Sequence, residues 1–231
     1  MTMGMARLSP VAGVARMALL AFGMTSPNSP LPTAIATTHL LYLHGFRSSP
    51  QSTKARQMAA IMAEQFAHIK WWCPQLPPSP QAAAELIQSG TTGWPANRMA
   101  VIGSSLGGFY ATWLATQRGC KAALLNPAIH PARDLAKYIG EQTTWHDPTE
   151  RFYFAPEFVD ELRALEVGPA SHPERVWALI AKGDEVLDWR EMTARYPDSH
   201  QVLIEGGDHA ISNFAHYLPQ VLEFLNLQPA R

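Results

Sequence analysis

Gly103-Ser104-Ser105-Leu106-Gly107 is a G-x-S-x-G sequence with a serine that could act as a nucleophile. It follows the apolar run Met99 to Ile102 and opens into a helix-like run, Leu106 to Gln117. A strand, a sharp turn and a helix in this order lift a serine hydroxyl above a sheet edge. Strand and helix pack closely at such a turn, so a Cβ at position 103 or 107 would collide. The amide N–H after the serine, that of Leu106, points at an oxyanion developing on an attacked carbonyl. A plain glycine-rich turn would read the same way over five residues. The apolar face Leu106, Phe109, Tyr110, Trp113 and Leu114 is what marks the following helix as buried and favours the elbow.

A serine hydroxyl is a weak nucleophile at neutral pH and needs a base, commonly His, whose second nitrogen needs an acceptor. In a serine hydrolase built on strand–helix alternation the chain order is Ser, then Asp or Glu, then His. The last expected strand runs into Glu205-Gly206-Gly207-Asp208-His209, where two glycines free the chain to turn. His209 is therefore the expected base. The preceding strand ends in Lys182-Gly183-Asp184-Glu185-Val186-Leu187-Asp188. Asp184 is the preferred acid, with Glu185 and Asp188 as competitors. Asp188 has a second use as the cap of a helix beginning near Trp189, and Asp184 as a turn residue. Asp208 is a poor candidate because neighbours on one loop seldom bring their side chains together.

An oxyanion hole needs a second amide from an earlier strand-to-helix loop, and Leu43-His44-Gly45-Phe46 has that form. The N–H of Phe46 is the expected donor, and His44 orders the loop. Arg47, Ser48 and Ser49 read as exposed turn residues, with contact to a polar or anionic substrate group as the alternative. Asn126 and Pro127 fall on the same edge without an assigned role.

These residues need a scaffold that gathers strand ends. Short apolar runs at His39 to Leu43, Ile69 to Cys73, Arg98 to Ile102, Ala122 to Leu125, Val176 to Ala181 and Gln201 to Glu205 read as buried strands. Helical periodicity separates them at Ser52 to Phe66, Ala82 to Gln88, Leu106 to Gln117, Pro131 to Ile139, Pro156 to Leu165, Trp189 to Arg195 and Ser212 to Leu225. This alternation predicts an α/β fold: about six mostly parallel strands covered by helices on both faces. The segment 141–168, with Trp145, Phe152, Tyr153, Phe154 and Phe158, interrupts it. It reads either as a small cap over the site or as a packed connection.

The chain has 231 residues, 47% hydrophobic and 16% charged, which suits one globular domain, expected over 37–228. A net charge of −1 gives no field that would draw it to nucleic acid. Cys73 and Cys120 sit in apolar surroundings and read as core thiols of a reducing compartment, and no Cys/His spacing suits zinc. Residues 1–36 carry no acidic residue and are rich in Met, Ala, Pro, Ser and Thr. A disordered extension and a cytoplasmic protein are expected. The alternative is a signal peptide ending near Ala34-Ile35-Ala36, and hence export. The apolar run Met17 to Met24 is too short to span a bilayer.

Together these stretches resemble the α/β-hydrolase superfamily, and more closely the YqiA-like small bacterial esterases. The likeness rests on Leu41-Tyr42-Leu43-His44-Gly45-Phe46 with Ser48-Ser49-Pro50, on Gly103 to Gly108, on Asn126-Pro127-Ala128, on Gly183 to Asp188 and on Gly206 to His209. It spans nearly all of the chain after residue 36. Because the expected oxyanion loop follows the first expected strand, a minimal sheet without the two opening antiparallel strands of larger hydrolases is expected. The resemblance implies a serine esterase acting on a small-molecule acyl ester or thioester, with Ser105 as nucleophile, Asp184 as acid and His209 as base. Phe46 and Leu106 supply the oxyanion hole, and neither metal nor organic cofactor is expected. The rival readings are an acyl-CoA thioesterase, an amidase or peptidase with the same triad, and a hydrolase-fold binding protein without activity. For phosphates of an acyl-CoA, Arg47, Lys54 and Arg56 are the candidate cations. The N-terminal extension and the aromatic segment depart from the family core.

Overall fold

The computed structural model describes residues 35–230 together with Met1. The extension expected at 1–36 thus lies almost wholly outside the described residues. The described residues 35–230 form one compact unit.

Alternate residues of a strand face opposite sides of its sheet, and the apolar runs here supply both sides. The main sheet holds β1 (His39–Leu43), β2 (Lys70–Trp72), β3 (Met99–Ser104), β4 (Lys121–Leu125), β7 (Val176–Ala181) and β8 (His200–Ile204). Its order is β2-β1-β3-β4-β7-β8, and every pairing is parallel. Leu40, Tyr42, Ala100, Ile102, Leu125 and Leu179 point to one face, where α1 (Thr53–Gln65) and α7 (Phe214–Phe224) cover them. Leu41, Leu43, Val101, Leu124, Ala178 and Ile180 point to the other. That face is covered by α2 (Pro80–Thr91), α3 (Leu106–Arg118), α4 (Pro131–Leu135), α5 (Glu157–Ala164) and α6 (Trp189–Arg195). The interior strands β3 and β7 are buried at every position, as a doubly covered parallel sheet requires.

The chain leaves β1 toward β2 and returns to place β3 on the other side of β1. The strand order reverses at this point, and a crevice opens there beyond the carboxyl ends of the strands. Register pairs Leu43 with Gly103, Ser104 with Leu125, and Ala181 with Ile204, so the loops that follow emerge together.

The interrupting segment contains two strands that its sequence did not disclose. β5 (Gly140–Thr143) and β6 (Arg151–Phe154) form an antiparallel hairpin of their own. Phe154 and Phe152 set their rings against Phe46, and Phe154 also packs on Phe158. α5 after it is a packed connection: Val159 and Leu162 are buried, and Glu161 accepts hydrogen bonds from Ser79 Oγ and the Gln81 amide at the start of α2. The helix expected over 131–139 divides into α4 and a 3₁₀ turn, Ala136–Tyr138. Cys73 and Cys120 are free, and burial pushes both thiols up to about 12. Among the described residues, no helix is long and apolar enough to cross a membrane.

The elbow packs backbone on backbone. A Cβ at Gly103 would stand 2.2 Å from the Gly107 carbonyl oxygen, and one at Gly107 would stand 2.0 Å from that of Leu43. Gly103→Ala should therefore cost at least about 3 kcal/mol, above the usual overpacking range because the obstructing atoms are main chain. Gly93→Ala, with nothing within 4 Å of the added carbon, should change stability little. Urea denaturation of the two variants measures the difference, and equal midpoints would contradict the packing described.

Candidate active site

Ser105 lies between β3 and α3 with φ 57° and ψ −122°, a conformation that L-residues rarely adopt. Backbone hydrogen bonds hold it there. Its amide donates to Leu125 O (3.0 Å), and its carbonyl accepts from Gly108 N (2.8 Å) and Ala128 N (3.0 Å). The strain is thus restrained by the end of β4 and the first turn of α3.

His209 Nε2 lies 3.0 Å from Ser105 Oγ, and His209 Nδ1 lies 2.8 Å from Asp184 Oδ2. The Asp184 side chain is fully buried. Its other oxygen, Oδ1, accepts from the Val186 and Leu187 amides, both at 2.8 Å. The carboxylate is therefore fixed by its own turn before it meets the imidazole. An ionised Asp184 can only accept, so Nδ1 carries the proton and Nε2 is left to accept from the serine hydroxyl.

The two loops meet because glycine allows it. The Gly183 amide donates to Gly206 O (2.8 Å), and a Cβ at Gly183 would stand 2.5 Å from Gly207 O. Gly206 and Gly207 have φ of 74° and 79°.

The competing acids have other partners. Asp188 caps α6, accepting from the Arg190 amide at 2.9 Å. Asp208 accepts from the amide and hydroxyl of Ser212. Glu185 Oε2 accepts from the main-chain N–H of His209 at 2.9 Å. Asn126 was left without a role by the sequence and turns out to be central. It is fully buried with φ 41°, its Oδ1 accepts from the Ala181 amide (2.8 Å), and its Nδ2 donates to the carbonyls of Asp208 (3.0 Å) and His209 (3.2 Å). One amide side chain thus joins the ends of β4 and β7 to the His209 loop. The backbone at position 126 is left-handed, a conformation that Asn tolerates better than most residue types other than Gly.

On the opposite side, Gly45 lies against Ser105: a Cβ there would be 3.1 Å from Ser105 Cβ. Among the described residues, neither the Phe46 nor the Leu106 amide donates to a protein acceptor. His44 is buried and ties this loop down. Its Nε2 accepts from the Leu76 amide (3.1 Å), which leaves Nδ1–H to donate to Gly45 O (3.0 Å). Burial lowers its pKa to about 4, against the pull of the Gly45 carbonyl and with a small push from His146. It is a neutral positioning group. Arg47 is not a free turn residue: Nε and Nη2 donate to Thr143 O and Oγ1, and the guanidinium lies 4.1 Å from the Trp145 ring centroid. It fastens the hairpin to the loop after β1.

Ser105 and His209 open on a cavity of about 780 Å³, bounded by that loop, the start of α1 and the hairpin tip at Trp145 and His146. Among the described residues, no group of three or more His, Cys, Asp and Glu side chains is arranged to hold a metal ion.

A six-stranded parallel sheet in this order, with a serine elbow after β3 and a histidine loop after β8, defines the α/β-hydrolase fold. Solved structures agree. A protein from Agrobacterium vitis S4 described as a hydrolase superposes with a TM-score of 0.63 at 17% identity, covering 83% of this chain and 91% of its own. A structure of LipS and LipT, two metagenome-derived lipolytic enzymes, gives 0.59 at 17% identity, with 83% and 95% covered. The monoacylglycerol lipase of Paleococcus ferrophilus gives 0.59 at 14% identity, also with 83% and 95% covered. At these identities the likeness establishes the fold. Within that fold the chain belongs to the Uncharacterised protein family (UPF0227), whose profile matches residues 39–226.

Asn126→Ala leaves the buried Ala181 amide without an acceptor and unties the His209 loop. It should cost about 2–4 kcal/mol in thermal or urea unfolding and raise amide exchange across 208–212. Unchanged exchange in that loop would refute the link. For His44, the folded value near 4 lies below the unfolded value of 6.5. The unfolded state therefore takes up the proton first. The stabilisation is complete above pH 6.5, and roughly 3 kcal/mol of it is lost as pH falls toward 4. His44→Gln should show a flatter fall in urea stability between pH 7.5 and 4.5 than the wild type, and parallel curves would contradict a neutral buried imidazole.

Proposed function

We propose that this protein is a serine hydrolase that cleaves acyl esters of small molecules through an acyl-enzyme. The observation that carries the reading is the unbroken row from Asp184 through His209 to Ser105, with contacts of 2.8 and 3.0 Å. On this reading Ser105 Oγ attacks the acyl carbonyl while His209 Nε2 takes its proton. Asp184 holds the imidazole tautomer and stabilises the cation. The amides of Phe46 and Leu106 receive the oxyanion, a task suited to two donors with no protein acceptor beside a strained serine. His209 then gives the proton to the leaving oxygen, and Ser105 remains acylated. A water molecule, deprotonated by His209, attacks the ester of Ser105. The acid departs and the proton returns to the serine. The hairpin tip acts as a small cap that shields this chemistry from bulk water.

The names of the structural neighbours, lipolytic enzymes and a lipase among them, support an ester substrate. An acyl thioester would pass through the same steps with sulfur as the leaving atom, so the assay includes both.

Wild-type protein should hydrolyse 4-nitrophenyl butyrate or a butyryl thioester. Ser105→Ala and His209→Ala should each lower kcat/KM by at least about 10³-fold, and Asp184→Asn by roughly 10⁴-fold if the tautomer is what the acid secures. Near-wild-type turnover by Ser105→Ala would overturn the mechanism. Absence of turnover by the wild type on a broad acyl panel would favour the binding-protein reading.

A further inference from the structure

The cavity beside Ser105 is not the apolar slot that a plain hydrocarbon acyl chain would prefer. Its wall on the α1 side is made of Ser52, Thr53, Lys54, Arg56 and Gln57. Lys54 and Arg56 are cations, and among the described lining residues there is no Asp or Glu. In a chain with net charge −1, a cavity with cations and no described carboxylate in its lining is a local bias rather than a general one. Arg56 makes no ion pair with a described residue. Lys54 Nζ donates one hydrogen bond, to the Ala210 carbonyl, and has two more protons to give. Burial lowers its pKa to about 8, with Asp208 and Asp184 pulling the other way, so it is charged at neutral pH. Neither of those carboxylates lines the cavity, and each is committed to partners of its own.

The 13-residue helix α1 begins at the same wall, with Ser52 as its N-cap, and adds the positive end of its dipole. A second, separate feature points to a polar occupant. The Tyr42 side chain lines the cavity and is fully buried, and its hydroxyl lies beside the Ser52 and Ser104 side chains without a hydrogen bond of good geometry to any described residue. The wall beneath the two cations is therefore polar and not fully satisfied by protein partners.

We infer that the start of α1 is an anion subsite, in which Lys54, Arg56 and the Ser52 region bind a carboxylate or phosphate carried by the substrate a few bonds from the scissile carbonyl. This rests on the ester-hydrolase reading and deepens it, because it names the charge of the substrate. The same anion chemistry can belong to the acyl part or to the leaving group, and two pairs of esters separate these sources. The 4-nitrophenyl half-ester of glutaric acid against 4-nitrophenyl pentanoate places the charge on the acyl chain. The butyrate ester of 3-hydroxyphenyl phosphate against phenyl butyrate places it on the leaving group.

In one of the pairs the charged ester should be preferred by on the order of tenfold in kcat/KM at low salt. That preference should collapse in the Lys54→Met/Arg56→Gln double variant and return largely in Lys54→Arg. The ratio within a pair is the readout, since loosening of the Ala210 contact lowers both members alike. A second measurement needs no turnover: calorimetric titration of inorganic phosphate into Ser105→Ala should show saturable binding that the double variant loses. Ester turnover with neither a charge preference nor phosphate binding would overturn the subsite and leave the hydrolase standing. A charge preference unchanged in the double variant would overturn the assignment to these residues. Phosphate binding lost in the double variant, with no ester turned over by the wild type, would uphold the subsite and contradict the hydrolase.

Discussion

Ser105 and His209 are 104 positions apart in sequence, yet their side chains lie within hydrogen-bonding distance. That is possible because main chain meets main chain at two places where no Cβ intervenes. At the first, Gly103 and Gly107 let β3, the start of α3 and the end of β1 close on one another, which presents Ser105 in its strained geometry. At the second, Gly183 admits the carbonyl of Gly207, which draws the Asp184 turn against the His209 loop. The catalytic reading depends on these contacts before it depends on any side-chain chemistry. A displacement of 1 Å at either would break a row held together by bonds of 2.8 and 3.0 Å.

Around that row the chain devotes polar groups to position rather than to reaction. Asn126 spans from the Ala181 amide to the carbonyls of Asp208 and His209, and Glu185 holds the His209 amide. His44 stitches the loop after β1 to Leu76, and Arg47 stitches it to the hairpin. Each bond joins elements distant in sequence, so the rim of the sheet is fixed from several directions. This is the kind of support that a preorganised site requires. The GDEVLD stretch divides its three carboxylates among three tasks: Asp184 faces the imidazole, Glu185 the main chain, and Asp188 the cap of α6.

Much of this architecture was legible in the sequence because it is periodic. The six apolar runs became the six parallel strands, with ends displaced by a residue or two, and the helix faces followed from their spacing. Asp184 and His209 stood out because glycine-rich turns after late strands are local signals. The hairpin was not legible. Gly140-Glu141-Gln142-Thr143 has no buried position along β5, and β6 alternates over only four residues, with an aromatic Tyr153 on its exposed face, so the period of two was too brief to read. Its aromatic rings pack on Phe46, a partner more than a hundred residues upstream. The roles of Asn126, Glu185 and Arg47 were hidden for a similar reason. A polar side chain that bonds to distant main chain leaves no pattern among its neighbours.

The central claim is that Ser105 is activated by His209, and through it by Asp184. Its most direct test is covalent labelling with a fluorophosphonate, which reacts with an activated serine whatever the natural substrate. Mass spectrometry of the labelled wild type should place the single adduct on Ser105, formed rapidly at neutral pH, and His209→Ala should slow it by orders of magnitude. Labelling elsewhere in the chain, or at Ser105 with a rate indifferent to His209, would contradict the account.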